Sequence, residues 1–222
     1  MAYLLISGGK DREGRGVAGR ESRRTVPGRT KQRMIDSAVA LLRERGAAGV
    51  TVESVLARSG APRGSVYHHF PGGRSELILA AARQAGDHIA AMIDQSVADG
   101  DPHAALDRFV QFWKHALTAT DYLAGCPIVA LSVGSHQDTP EAAELVREVF
   151  TRWHHALRNL LTAHGLPTER ARRLATLVVS AIEGAIILCR AHRDAGPLDD
   201  VLAEVAPLLE SRPVRLSRPP GT

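Results

Sequence analysis

The chain has only two cysteines, Cys126 and Cys189, in 222 residues. Two cannot build a disulfide framework, so a reduced, cytoplasmic setting is expected. Aromatic residues are equally scarce, at 4%, and aliphatic side chains must fill most of the core. No uninterrupted apolar run approaches the roughly 20 residues that span a bilayer. The opening MAYLLISGGK carries its charge after its apolar patch, not before it, unlike a secretory signal; no membrane partner is expected. No segment alternates apolar and polar residues between hairpin turns, so no sheet is expected. No Gly-rich loop between strand and helix cradles a phosphate, and no two histidines four apart flank a glutamate. No cofactor and no metal are implied, and no catalytic residue is assigned. His154 and His155 are adjacent and so diverge on a helix. Cys126 has no assignable histidine partner, and buried inert cysteine is the commoner case.

What is present is helical periodicity and a divided charge. The formal net charge of +4 hides the division. Residues 1–75 hold 14 Lys/Arg against 6 Asp/Glu, and residues 76–222 hold 14 against 18. A basic N-terminal part attracts a polyanion and gains affinity by counterion release; a solvated basic tail has the same composition. Residues 1–28 are rich in Gly and Arg without period and read as a disordered basic arm. Met34, Ile35, Ala38, Leu41, Leu42 and Arg45 recur at three-and-four spacing, which predicts a helix over residues 30–45, capped by Thr30 and ended by Gly46. Thr51 caps a second helix, with Glu53 in its first turn and Gly60 at its end. Pro62 suits the first turn of a third.

Further helices are predicted over residues 75–97, 102–118, 128–134, 140–164, 167–194 and 197–209. The tail 211–222, with three prolines, reads as disordered. The fold class expected is all-α. A three-helix helix-turn-helix domain spans residues 29–74, and a helical bundle for ligand binding and dimerisation spans residues 75–210.

Residues 60–77 read GAPRGSVYHHFPGGRSEL. Gly60 tolerates the positive φ that the turn of a helix-turn-helix needs. Val66 and Phe70, four apart, form the buried side of the reading helix, facing Val52, Val55 and Leu56. Arg63, Ser65, Tyr67, His68 and His69 remain outward, and Gly64 lets the backbone approach DNA. Arg63 can reach guanine in bidentate fashion. Tyr67 and His69 can donate to phosphates. Arg74 lies at the next helix start, where backbone N–H groups also favour a phosphate. With Thr30 and Thr51, these form the candidate DNA-contacting set.

This block resembles the N-terminal helix-turn-helix of the TetR family of bacterial transcriptional repressors, with Tyr67, His69 and Phe70 as that family's recognition-helix hallmark. The likeness covers residues 30–79. Leu56 stands where a small Ala is usual, and the Pro71-Gly72-Gly73 loop is one residue longer. Both departures are similar to the LmrA/YxaF branch, as are Gly125–Pro127 and Ile182-Glu183-Gly184. The resemblance implies a homodimer on a palindromic double-stranded DNA operator. It also implies an interface built from the last two long helices, and a small hydrophobic or aromatic inducer in the larger domain.

In the body, Phe109, Phe112 and Trp113 lie on one predicted helix and Phe150 and Trp153 on another. The candidate ligand-binding residues are Phe109, Trp113, Cys126, Phe150, Trp153 and Glu183; residues that only fill a bundle core have the same spacing. The stripe of Leu174, Leu177, Val178, Ala181, Ile182, Ala185, Ile186 and Cys189 is wider than one face, so this helix must bury against two partners. A ligand-independent DNA-binding architectural protein is the alternative function, and an α-helical enzyme with a basic arm a third.

Overall fold

The computed structural model describes residues 27–134 and 141–210. The basic arm, the proline-rich tail and the expected helix start at Pro140 lie outside the described residues, apart from positions 27 and 28 of the arm. The described residues are helical, with no strand among them.

The first helix, α1 (Pro27–Arg45), begins earlier than expected, with Pro27 at its start, where a missing N–H costs nothing. Thr30 therefore lies inside the helix, 5% exposed, and does not cap it. Gly46, at φ 69°, closes α1, and a 3-10 turn (Ala47–Gly49) leads to α2 (Val52–Ser59). Here Thr51 is the cap. Its Oγ1 accepts from the Ser54 N–H at 3.0 Å, while the Thr51 N–H donates to Ser54 Oγ at 2.9 Å. This reciprocal box satisfies two otherwise orphaned donors. Gly60 adopts the left-handed conformation, φ 63°, and its N–H closes on the Leu56 carbonyl.

The third helix, α3 (Ser65–His69), starts three residues later than Pro62. Pro62, Arg63 and Gly64 instead form a turn, closed by the Ser65 N–H at 3.0 Å and the Ser65 hydroxyl at 2.6 Å, both donating to the Pro62 carbonyl.

The spine of the molecule is α4 (Gly73–Asp99), 27 residues long. Around it lie α5 (Pro102–Thr118), α6 (Pro127–Ser132), α7 (Glu141–Ala163), α8 (Thr168–His192) and α9 (Gly196–Val205), which ends in a 3-10 turn (Ala206–Leu209). Asp101 caps α5, accepting from the His103 and Ala104 N–H groups. The crossing of α4 and α7 is tight at Gly86. A Cβ there would sit 2.8 Å from Val149 Cγ2, and the Trp153 indole N–H donates to the Gly86 carbonyl at 3.1 Å.

One buried apolar set runs from Met34 on α1 to Leu209. Phe70, Met34, Leu42 and Leu77 are fully buried within it, each worth about 1.5–3 kcal/mol relative to exposure. The three-helix head is thus continuous in packing with the body: α1 rests on α4 and α6. Buried Val55 of α2 meets this core, and Val52 and Leu56 pack against its edge.

Candidate DNA interface and ligand cavity

The head presents α3 outward. Val66 and Phe70 are fully buried, which fixes the rotation of this short helix and leaves Arg63, Gly64, Tyr67 and His68 exposed. Tyr67 is 64% exposed, an unusual state for a large ring with no surface partner to cover it. Ser65 and His69 are half-buried, and the His68 and His69 rings meet edge-on at 4.8 Å. One bidentate pair, in which Arg58 donates to both Glu44 carboxylate oxygens at 2.7 and 2.8 Å, ties α2 to α1. The Lys31 ammonium lies 5.3 Å from the Phe70 ring centroid, within cation–π range.

Two members of the expected DNA-contacting set are placed differently, and Thr51 keeps its expected place at the α2 cap, its Oγ1 accepting from the Ser54 N–H. Thr30 is buried inside α1. Arg74 turns inward: its Nε donates to the Val50 carbonyl at 2.9 Å and its Nη2 to the Ala47 carbonyl at 2.8 Å. It straps α4 to the turn between α1 and α2. The N–H groups ahead of α4 also meet an internal acceptor, since the Gly72 N–H donates to Glu76 Oε2 at 2.9 Å.

The body encloses a cavity of about 730 Å³ between α4, α5, α7 and α8, within the range that holds drug-sized ligands. Its walls are mostly aliphatic. Phe109, Trp153 and Glu183 line it as expected. Trp113, Cys126 and Phe150 do not; they stand behind the wall. Trp113 is turned into the core, 2% exposed, and packs edge-on against Phe112 at 5.3 Å. Phe150, one turn before Trp153 on α7, backs that residue edge-on at 5.4 Å. Cys126 shares a hydrogen bond with Glu183 from behind the wall. Sequence reasoning passed over His88, Met92, Phe112, Leu157, Leu160 and Leu161, all of which line the cavity. His88, Met92 and Gln95 do recur at helical spacing on α4, and the apolar stripe of α7 contains the leucines. Which face turns to a cavity and which to solid core is a tertiary matter.

Electrostatics in the wall are uneven. Burial raises the Glu183 carboxyl to about 7, against a smaller opposing effect of the Cys126 hydrogen bond. Its Oε2 is sealed from solvent without a partner. Burial, assisted by the Glu183 charge, pushes the Cys126 thiol up. Burial, and then the Arg43 charge, lowers the His88 imidazole, so His88 faces the cavity neutral at pH 7. Arg108 at the mouth is paired to Asp99 at 2.8 Å. Among the described residues no group of three or more His, Cys, Asp or Glu side chains is arranged to hold a metal ion.

Residues 34–83 match the family model described as bacterial regulatory proteins, tetR family. Residues 102–204 match the C-terminal domain of the transcriptional regulator LmrA/YxaF-like group. An HTH-type transcriptional regulator of Mycobacterium tuberculosis is 44% identical over 184 residues, covering 81% of this chain and 93% of the relative. The HTH-type transcriptional regulator LmrA of Bacillus subtilis is 26% identical over 184 residues, covering 82% and 98%. Among solved structures, the regulatory protein TetR from Rhodobacter sphaeroides superposes with a TM-score of 0.72 at 21% identity, covering 81% of this chain and 98% of that one.

Proposed function

The chain belongs to the TetR family of bacterial regulatory proteins, in the LmrA/YxaF-like branch, as a DNA-binding transcriptional regulator and not an enzyme; from that premise we propose that it is a repressor released from a palindromic operator by a small ligand. The observation that carries the reading is the cavity of about 730 Å³ against α4, the helix that begins immediately after the DNA-reading turn. A ligand touching His88, Met92 and Ser96 binds the same rigid element that carries the head. A ligand that prefers one tilt of α4 shifts the population of head positions. Two heads then no longer match major-groove faces about 34 Å apart.

The second half of the proposal is a homodimer through α8 and α9. Leu177, Ile187 and Leu188 of α8 are 45%, 53% and 49% exposed. Between them Gly184 faces open space, with nothing within 4 Å of an added Cβ, so a second helix can approach closely there. This apolar surplus also explains why α8 has the length and apolar composition of a membrane span; a face left for a second protomer accounts for it. Arg63, Ser65, Tyr67, His68 and His69 read each half-site, with Arg63 on a base edge and Tyr67 and His69 on phosphates.

Nuclease protection on DNA flanking the chain's own gene tests the reading. The expected result is a protected inverted repeat, bound by a dimer in sedimentation. Protection without sequence preference would favour an architectural protein and overturn it. Leu188→Glu is expected to leave the protomer folded, since the site is exposed, while shifting sedimentation to monomer and weakening operator binding.

A further inference from the structure

The Glu183 carboxyl stands in an apolar, aromatic wall with Oε2 sealed and unpartnered. Cys126 meets the carboxyl from behind the wall, but a desolvated carboxylate oxygen without a partner is costly, and structures retain one where something else completes it. Nothing in the cavity wall does so. Arg108, the one Lys or Arg side chain among the lining residues, is engaged by Asp99 at 2.8 Å and by Ser96 at 3.3 Å. Asp107 adds a second acid at the mouth. The balance of free charge is negative, which disfavours a carboxylate or phosphate ligand and favours a cation. Phe109, Phe112 and Trp153 line the same cavity, and aromatic rings of this kind attract a positive charge.

We propose that the cavity takes a hydrophobic organic cation, whose charged nitrogen meets the Glu183 carboxylate while its apolar body fills the space between α4, α5, α7 and α8. The proposal rests on the reading of this cavity as the ligand site. Binding ionises Glu183 fully and releases its remaining proton, so affinity for a permanent cation rises with pH through the region near 7. The other ionisable groups around it do not imitate this. Cys126, on the loop from α5, is raised and stays a thiol. His88, on α4, is lowered from the ordinary imidazole range by burial and then by the Arg43 charge. Arg43, on α1 behind Cys126, stays charged throughout. Asp107 and the Arg108–Asp99 pair stand at the mouth. The cavity-lining residues of α7, Trp153, Leu157, Leu160 and Leu161, are not ionisable.

Two isosteric probes test it: trimethyl(2-naphthyl)ammonium and 2-tert-butylnaphthalene, identical in shape and differing in charge. Binding to the full chain is followed by calorimetry or naphthalene fluorescence. At pH 8 the cation is expected to bind about tenfold more tightly than the neutral probe, with the preference shrinking toward pH 6. In Glu183→Gln both probes are expected to bind alike, with the neutral probe's affinity unchanged as evidence of an intact cavity. No preference in the parent, a preference that survives in Glu183→Gln, or no binding of either probe would overturn the proposal. Operator affinity measured with the same cation separates the two readings. Preferential binding that leaves operator affinity unchanged sinks release by ligand and leaves the cation site standing. Equal binding of both probes that still releases DNA does the reverse.

Discussion

Arg43 of α1 and Gly125 of the loop before α6 hold each other by two reciprocal hydrogen bonds. The Gly125 N–H donates to the Arg43 carbonyl at 3.0 Å, and Arg43 Nε donates to the Gly125 carbonyl at 3.2 Å. The next residue, Cys126, hydrogen-bonds Glu183 of the cavity wall. From the other side Arg190 of α8 donates to the Leu123 carbonyl at 2.9 Å. One loop therefore joins the DNA-reading head, the cavity and the helix that exposes the apolar stripe. Arg43→Ala removes a buried donor and its packed stem and leaves the Gly125 carbonyl without its side-chain partner. We expect a loss of about 1–3 kcal/mol in urea unfolding.

The two arginines that flank α3 are expected to fail in different ways. Arg63→Ala is expected to weaken operator binding by about 1–3 kcal/mol and relax base preference, with an unchanged melting temperature because Arg63 is exposed. Arg74→Ala breaks two hydrogen bonds to backbone carbonyls. It is expected to lower the melting temperature and to weaken binding to all DNA sequences alike. Melting curves beside binding to operator and scrambled DNA check both; an unchanged Tm in Arg74→Ala would refute the strap.

Gly86 marks where α4 and α7 touch. Gly86→Ala gains helix propensity of about 1 kcal/mol but places a Cβ 2.8 Å from Val149 Cγ2. Overpacking of this kind costs about 1–3 kcal/mol, so a net loss of stability is expected. Pairing it with Val149→Ala is expected to recover part of the loss in a double-mutant cycle.

Stability itself depends on Glu183. Its folded-state value of about 7 lies above the ordinary carboxyl value of 4.5, so the native state binds this proton more tightly than the unfolded chain does. Its contribution is constant below about pH 4.5, becomes progressively unfavourable as pH rises to 7, and levels off above that. The shift corresponds to at most about 3–4 kcal/mol. Glu183→Gln is expected to be more stable than the parent at pH 8 and to lose the slope between pH 5 and 7. Parallel slopes in the two proteins would contradict the burial of this carboxyl.

Several helix ends were legible because they are punctuated locally. Thr51 and Gly60 bound α2, Pro102 opens α5, and Gly46 closes α1, all through backbone chemistry that needs no distant partner. The outward face of α3 was legible for the same reason: Val66 and Phe70, four apart, turn Tyr67 and His68 outward, while Arg63 is exposed in the turn before the helix and Ser65 and His69 are half-buried. Arg74 was misread because its acceptors, Ala47 and Val50, lie more than twenty residues away. Spacing cannot show that a cation beside a helix start has already found carbonyls behind it.

The sequence by itself determined the helical class and the place of the reading helix, since helix periods, caps and turn glycines act within a few residues, and the block over residues 60–77 carried the likeness to the family. Only the tertiary structure decided which aromatics face the cavity, that Trp113, Phe150 and Cys126 stand behind its wall, and that Arg43 meets Gly125. These outcomes depend on how α4, α5, α7 and α8 cross. A crossing such as that at Gly86 is settled by the shapes of two helices distant in sequence, not by the pattern along either one.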